Sequence, residues 1–364
     1  MKVLLLSIIA KCGVFTHVRE LSLYLQKLGT KVVIGFIHNE KTMEKFKLSD
    51  ADLDAMTKSL KGVDYFFYES DDDLLNKIND MKISLVHAHS PLVLSAAIKA
   101  SDKLDIPFVL TLHSTLNWCK LHPISMEKAD CIIAIGPEVA KSAGDCHQEK
   151  IHVIFNGIDL EHYKPMENIN VNGPLRIIWM GRTNGEVSHG AQYLARAVRI
   201  LRKKGISLDA KIIGHAVGAN IEGMKNYSWV HDPLPYLLRN HIVFARGRAL
   251  REAMACGNVG ILIGQGYGGI VREDWFGKGR IPQLSGSIKH GYDKLDVSMI
   301  IKDILYFHKN REELSKAKRA ARKIAEKYFD VRKMAEQTEN VYLKAIKLHS
   351  QKKVDGNKVK KTKS

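Results

Sequence analysis

The chain has 364 residues, 45% of them apolar. At about 150 residues per domain that is room for two globular domains with full cores. Its formal net charge of +17 points to an anionic partner: nucleic acid, a lipid surface or a phosphorylated substrate. Five scattered cysteines without a CxxC pair argue against a disulfide framework and for a reduced, cytoplasmic setting. No apolar run approaches the ~18 residues of a membrane span.

The predicted elements alternate from the start. Lys2–Ile9 reads as a buried strand rather than a leader, because Lys11-Cys12-Gly13 follows at once and no small-residue cleavage site is present. The loop Ala10–Thr16 holds Gly13. A helix follows with apolar positions Val18, Leu21, Leu25 and Leu28, then the strand Lys31–Ile37. This is a βαβ unit without GxGxxG, which disfavours a dinucleotide oxidoreductase. Asp71-Asp72-Asp73 imitates a metal-holding carboxylate cluster, but it suits the acidic first turn of a helix better. Leu85–His89 reads as a strand carrying His87 and His89 on one face, with no third metal ligand evident. Phe108–Leu112 is a further strand with His113 at its carboxyl end, the edge where open α/β sheets bind ligands. A sugar contact and a structural bond to loop backbone are equally good readings of that histidine.

Ile151–Pro165 (IHVIFNGIDLEHYKP) is a short strand, an Asn-Gly turn and a closing proline. The α/β alternation restarts after it, so it reads as the crossover between two halves. Leu175–Met180 is the first strand of the second half, followed by Gly181-Arg182, where a guanidinium suits phosphate. Gly190–Lys203 is an amphipathic helix, and Ile242–Phe244 a strand. Ala245-Arg246-Gly247-Arg248 then leads into a helix from Ala249 to Cys256, whose mouth offers free N–H groups to phosphate. Arg248 and Glu252 share one face of it, either to hold diphosphate and ribose together or as a surface salt bridge. Gly264–Gly269 (GQGYGG) is expected to form a second glycine-rich loop. Two basic helices, Lys309–Lys327 and Val331–Ile346, precede the lysine-rich segment Gln351–Ser364, which reads as a disordered tail.

VIFNGIDLEHYKP at Val153–Pro165, MGR at Met180–Arg182 and LREAMACG at Leu250–Gly257 occur in an order and spacing that resemble the retaining GT-B glycosyltransferases of family 4, over roughly residues 1–348. The resemblance implies an α/β chain of GT-B architecture. It implies a Rossmann-like acceptor domain at 1–160 and a Rossmann-like nucleotide-sugar domain at 161–330 facing it across a cleft. A helix at 331–350 would return to the first domain, and 351–364 would be the tail. It further implies sugar transfer from a nucleoside-diphosphate sugar with retention and without a required metal or other cofactor. Gly13 matches the first-loop glycine near the diphosphate, and His113 the histidine near the donor sugar. Arg182 matches the phosphate-binding arginine after Gly181, and Glu252 the ribose-holding glutamate. His113, Arg182 and Glu252 are thus the catalytic candidates.

Two positions depart from that family. Phe244 stands where the motif's first glutamate is expected, and His189 where a phosphate-binding lysine is expected. Arg246 and Arg248, with the backbone of Gly247 and Ala249, are the candidates to replace the lost charge. Nucleobase contacts are assigned to the segment from Trp229 to Leu234. The expected partners are a nucleotide sugar and a sugar or lipid-linked acceptor. A peripheral contact with an anionic membrane face is the place for the surplus charge. A specific nucleic-acid role is disfavoured, because no recognised module is present and the tail has no aromatic for stacking. A sugar-nucleotide epimerase of the same fold and a weakly active nucleotide-sugar-binding protein are the alternatives.

Overall fold

A computed structural model describes residues 1–166, 171–181, 183, 185, 188–214, 218–228, 230, 232–276 and 282–361, the last seven by backbone alone. The chain divides into two compact units: Met1–Gly157 with Val331–Ser364, and Ile158–Asp330.

The first unit runs β1 Lys2–Ile8, α1 Gly13–Lys27, β2 Lys31–Ile37, α2 Glu40–Phe46, α3 Asp50–Lys58, β3 Asp64–Tyr68, α4 Asp71–Ile78, β4 Leu85–Ala88, α5 Leu94–Leu104, β5 Phe108–Leu112, α6 Trp118–Leu121, α7 Pro123–Lys128, β6 Cys131–Ala134, α8 Pro137–Ser142 and β7 Ile151–Val153. Its seven strands are all parallel in the order β3-β2-β1-β4-β5-β6-β7. Both faces of the sheet are covered. Val3 and Leu5 belong to a core with α1, while Leu4 and Leu6 belong to a core with α5 on the other side. That is why β1 is a continuous apolar run rather than an alternating one. The acidic run Asp71–Asp73 is the first turn of α4, with Ser70 as N-cap accepting from the Asp73 amide at 3.2 Å.

The second unit runs β8 Leu175–Met180, α9 Ser188–Lys203, β9 Leu208–Ile213, β10 Lys225–Tyr227, α10 Leu234–Leu237, β11 Ile242–Ala245, α11 Gly247–Ala255, β12 Val259–Ile263, β13 Gly266–Ile270, β14 Asp293–Lys294, α12 Val297–Lys309 and α13 Arg311–Tyr328. Its sheet has the order β10-β9-β8-β11-β12-β13-β14, with β13 and β14 antiparallel to their neighbours. The expected second glycine-rich loop is therefore corrected: most of Gly264–Gly269 is strand β13. Its glycines serve packing. A Cβ on Gly264, Gly266 or Gly268 would lie 2.7, 2.6 or 2.9 Å from Gly286 O, Asp293 O or a Leu262 methyl carbon.

Helix α14, Val331–Lys361, completes the first unit, packing Met334, Tyr342 and Ala345 into the α1 side of its core. It continues as helix beyond residue 350, where composition reads as a disordered tail. Ion pairs extend it: Lys352 to Asp130 at 2.7 Å and Lys353 to Asp105 at 2.6 Å.

The cysteine reading also needs correcting. Cys119 and Cys146 form a disulfide with Cα atoms 5.9 Å apart, while Cys12, Cys131 and Cys256 are free. The pair is separated by 27 residues and leaves no local spacing signal. The fold joins it by pairing the Cys119 amide with Ala143 O at 2.8 Å and by setting Gly144 against Cys119. Among the described residues no helix is long and apolar enough to cross a membrane.

The first stretch of the first unit ends at Gly157, and the expected Asn156-Gly157 turn is corrected, because neither residue has positive φ and 154–157 form no turn. A Cβ on Gly157 would lie 2.3 Å from Val331 Cα and 2.8 Å from Val331 N. A Cβ on Gly13 would meet nothing within 4 Å. Gly157→Ala is expected to lower the unfolding free energy by about 1–3 kcal/mol, because backbone has to move. Gly13→Ala should leave it within about 0.5 kcal/mol. Urea titration of the two variants checks the contrast.

Candidate active site

In an open α/β sheet the connections after two neighbouring strands diverge where the strand order reverses, and this opens a crevice at their carboxyl ends. The second unit has that reversal between β8 and β11, which pair in register as far as Met180 opposite Ala245. The next residues of the two strands, Gly181 and Arg246, therefore stand side by side at the crevice. Gly181 has φ +153, and its carbonyl lies 2.3 Å from where a Cβ on Gly214 would sit. Neither position tolerates a side chain there. Arg182 lies outside the described residues. His189 is exposed on the first turn of α9.

Helix α11 begins directly after β11. Arg246 is its N-cap, Gly247 turns the chain at φ +55, and no side chain caps the helix. Its first amide, on Gly247, is already bonded to Leu284 O, while Ala249, still in the first turn, has an amide that the helix itself does not pair. Arg248 Nε and Glu252 Oε1 are 2.7 Å apart, with side chains only 15% and 9% exposed. The pair is thus neither splayed towards separate ligand groups nor a solvated surface bridge. It is a shielded pair set under the mouth, and Glu252 holds the guanidinium. One position before Glu252, burial and the Arg248 charge bring the Arg251 pKa down to about 10, and its guanidinium lies over the Phe329 ring. The result is a concentration of positive charge around one helix N-terminus, a setting that favours phosphate. Phe244 is fully buried in the sheet core, so no donor contact arises from its side chain. In the segment from Trp229 to Leu234, Trp229 and His231 lie outside the described residues. Asp232 accepts from the Leu234 amide at 3.0 Å and stands 3.4 Å from His162 Nε2.

The first unit reverses between β1 and β4. Gly13 opens α1 at that crevice, and one turn further in is His17, 4% exposed. His89 follows β4 and His113 follows β5. His89 Nδ1 and His113 Nε2 are 3.2 Å apart, so the bonding partner of the His113 ring is another imidazole rather than loop backbone. The His17 ring centroid is 4.8 Å from that of His113 and 5.3 Å from that of His89. One ligand atom from each of the three lies within 4.8 Å of the other two. The expected His87–His89 pairing is thus corrected: His89 clusters with His113 and with His17, which α1 supplies. The signal for it was a polar residue on the inward face of an amphipathic helix. His87 lies behind them, bonded to Tyr342 Oη and Thr111 Oγ1, each at 2.7 Å. Burial, reinforced by neighbouring imidazoles, holds His87, His89 and His113 well below the usual histidine range.

These shifts carry a sign. A histidine whose folded pKa is depressed adds stability that is complete above its unfolded pKa of 6.5 and is lost as pH falls, because the unfolded chain takes up the proton first. The unfolding free energy should therefore drop below pH 6.5, each of these three histidines adding up to one proton to the slope. His87→Phe should flatten that slope by one proton while costing about 1–3 kcal/mol at neutral pH, through the stranded Tyr342 and Thr111 hydroxyls. Denaturant titrations across pH check both.

Residues 12–162 match the family model described as Glycosyltransferase Family 4. No curated protein sequence matches the chain. Among solved structures, a glycosyltransferase from Rickettsia africae is similar, with a TM-score of 0.70 at 14% identity, covering 95% of this chain and 98% of that one. Anabaena HepE in complex with UDP and glucose gives 0.68 at 16% identity over 93% and 98%. A putative UDP-N-acetylglucosamine 2-epimerase from Listeria monocytogenes gives 0.54 at 15% over 93% and 94%. The chain thus has a GT-B-like fold of two Rossmann-like units, and its residues 12–162 match a glycosyltransferase family 4 domain.

Proposed function

We propose that the chain is a retaining glycosyltransferase that moves a sugar from a nucleoside-diphosphate sugar to a glycan, glycolipid or other cell-envelope acceptor. The observation that carries the proposal is the mouth of α11 at the β8/β11 reversal, where first-turn amides, Arg246 and the shielded Arg248–Glu252 pair gather. That is a place for a diphosphate. The family 4 domain at residues 12–162 and the likeness to a structure holding UDP and glucose support the choice of a nucleotide sugar over other phosphates.

In this reading the diphosphate is the leaving group. Negative charge grows on it as its bond to the anomeric carbon breaks. Helix amides and guanidinium groups fixed before the reaction stabilise that charge more than they stabilise the intact donor, which is what lowers the barrier. Glu252 holds the Arg248 fork in place, so little reorganisation is needed at that step. Arg182, after Gly181, is the second cation of the proposal. The reading routes no step through a metal, and no side-chain nucleophile is assigned. His113 is assigned to the sugar end of the donor. The charge of +17 suits a peripheral position on an anionic, cytoplasmic membrane face, at about 1 kcal/mol per basic residue near such a surface.

A second reading, sugar-nucleotide epimerisation, has an observation in its favour. It needs acid and base groups facing the sugar, and the buried cluster around His113 is a candidate for them.

Thermal shift against UDP, GDP, ADP and single-stranded DNA separates these readings from a nucleic-acid role. One nucleotide should stabilise the chain selectively, and stabilisation by DNA alone would contradict the proposal. Arg248→Ala should weaken that nucleotide more than about tenfold, the worth of one charge-assisted hydrogen bond, with Arg246→Ala as the second variant. Unchanged affinity in both would remove the α11 mouth from the site. Incubation with labelled nucleotide sugar and acceptor then distinguishes a transferred sugar from an epimerised one.

A further inference from the structure

We infer that His17, His89 and His113 form a binding site for a transition-metal ion of the kind that prefers imidazole, Zn²⁺ first. Three observations carry this. The ligands come from three elements of one unit: α1, the end of β4 and the end of β5. One ring nitrogen from each lies within 4.8 Å of the other two. Four-coordinate zinc with nitrogens at about 2.1 Å has nitrogen–nitrogen edges of about 3.4 Å. The edge between His89 Nδ1 and His113 Nε2 is 3.2 Å, so closing the set needs mainly a small swing of His17 along its helix face. Second, the donor set is all imidazole, with no carboxylate or thiolate among the three. That selects Zn²⁺, Ni²⁺ or Cu²⁺ over Mg²⁺ or Ca²⁺.

Third, the site is built rigidly and left open on one side. β4 and β5 are neighbouring inner strands, and α1 is packed through Val18, Leu21 and Leu25. Beneath the cluster, His87 is locked between Thr111 and Tyr342, with its ring centroid 4.0 Å from that of His89. His17 and His89 are buried, whereas His113 is only partly so. The fourth coordination position would therefore lie on the His113 side, for water or a small ligand.

The ion is not required for the transfer proposed above. A metal on His113 Nε2 takes that nitrogen away from the sugar, so occupation slows transfer. This consequence rests on the proposed function, whereas binding does not, and the two are read separately.

The test uses full-length chain without a histidine tag, stripped of metal with chelator and titrated with Co²⁺. The site predicts a single equivalent with the visible bands of four-coordinate cobalt, displaced by Zn²⁺. Removing even an outer-shell partner commonly costs 10–100-fold in metal affinity. His17→Ala and His89→Ala should therefore each lose more than about tenfold, while His38→Ala, outside the cluster, binds as the parent does. His17→Gln and His89→Gln serve if an alanine variant fails to fold, as judged by circular dichroism and melting temperature. Colourless cobalt, or equal affinity in the cluster variants, overturns the inference and leaves a hydrogen-bonded histidine cluster only. Where nucleotide-sugar turnover is measurable, Zn²⁺ should slow it and chelator restore it. Binding with cobalt bands but without slowing would keep the metal site and reject the assignment of His113 to the sugar.

Discussion

The reversal of strand order between β8 and β11 is the constraint from which the candidate site follows. Parallel strands need crossovers, and the crossover after β8 runs one way along the sheet while that after β11 runs the other. The crossovers themselves therefore leave a crevice at the carboxyl edge between them. A helix beginning at once behind β11 aims its positive end into the gap. The sequence around it is small and cationic. Gly181, Gly214 and Gly247 admit close or left-handed backbone, and Arg246 and Arg248 supply charge. Glu252, one turn deeper, orients Arg248 without cancelling the helix amides. Little else in the second unit is specialised: its core is the ordinary packing of two helix layers on a twisted sheet.

The first unit repeats the reversal between β1 and β4 but fills it differently. Four histidines gather there in place of arginine. Burial holds the pKa of His87, His89 and His113 well below the usual histidine range, and hydrogen bonds run from Tyr342 on α14 through His87 into the sheet. Neutral imidazoles in a fixed frame suit hydrogen bonding to sugar hydroxyls, proton transfer or metal ligation, and suit phosphate poorly. The two reversals thus present complementary chemistries within one repeated framework. The polar chain from α14 also gives the carboxy-terminal helix a reason to hold its place, beyond the apolar contacts of Met334 and Ala345.

Much of this was legible in the residues. Inner strands such as Val3–Ile8 and Val259–Ile263 are buried on both faces, so they appear as apolar runs that few other elements imitate. The strand, glycine and helix start that make Arg246–Arg248 candidates for anion binding were legible because they lie next to one another in the chain. What escaped has physical reasons. β10 and β14 are short and polar, and β13 is written in glycine because neighbouring backbone presses on it. The Cys119–Cys146 bond joins positions that only the tertiary fold makes adjacent. His17 is a single polar residue on a helix face, and its meaning depends on two strands about 70 and 100 residues away, beyond what helical periodicity reports. Helix α14 runs past its apolar stripe because Asp105 and Asp130 hold its lysines.

The central claim is that a nucleotide diphosphate is gripped by the first turn of α11. The most direct measurement is the set of backbone amide and arginine Nε resonances in isotopically labelled protein, followed as the stabilising nucleoside diphosphate is added. The account predicts large, saturating shifts at the Arg248 and Ala249 amides and at the Arg248 Nε. Binding that leaves those resonances in place while moving others would contradict it.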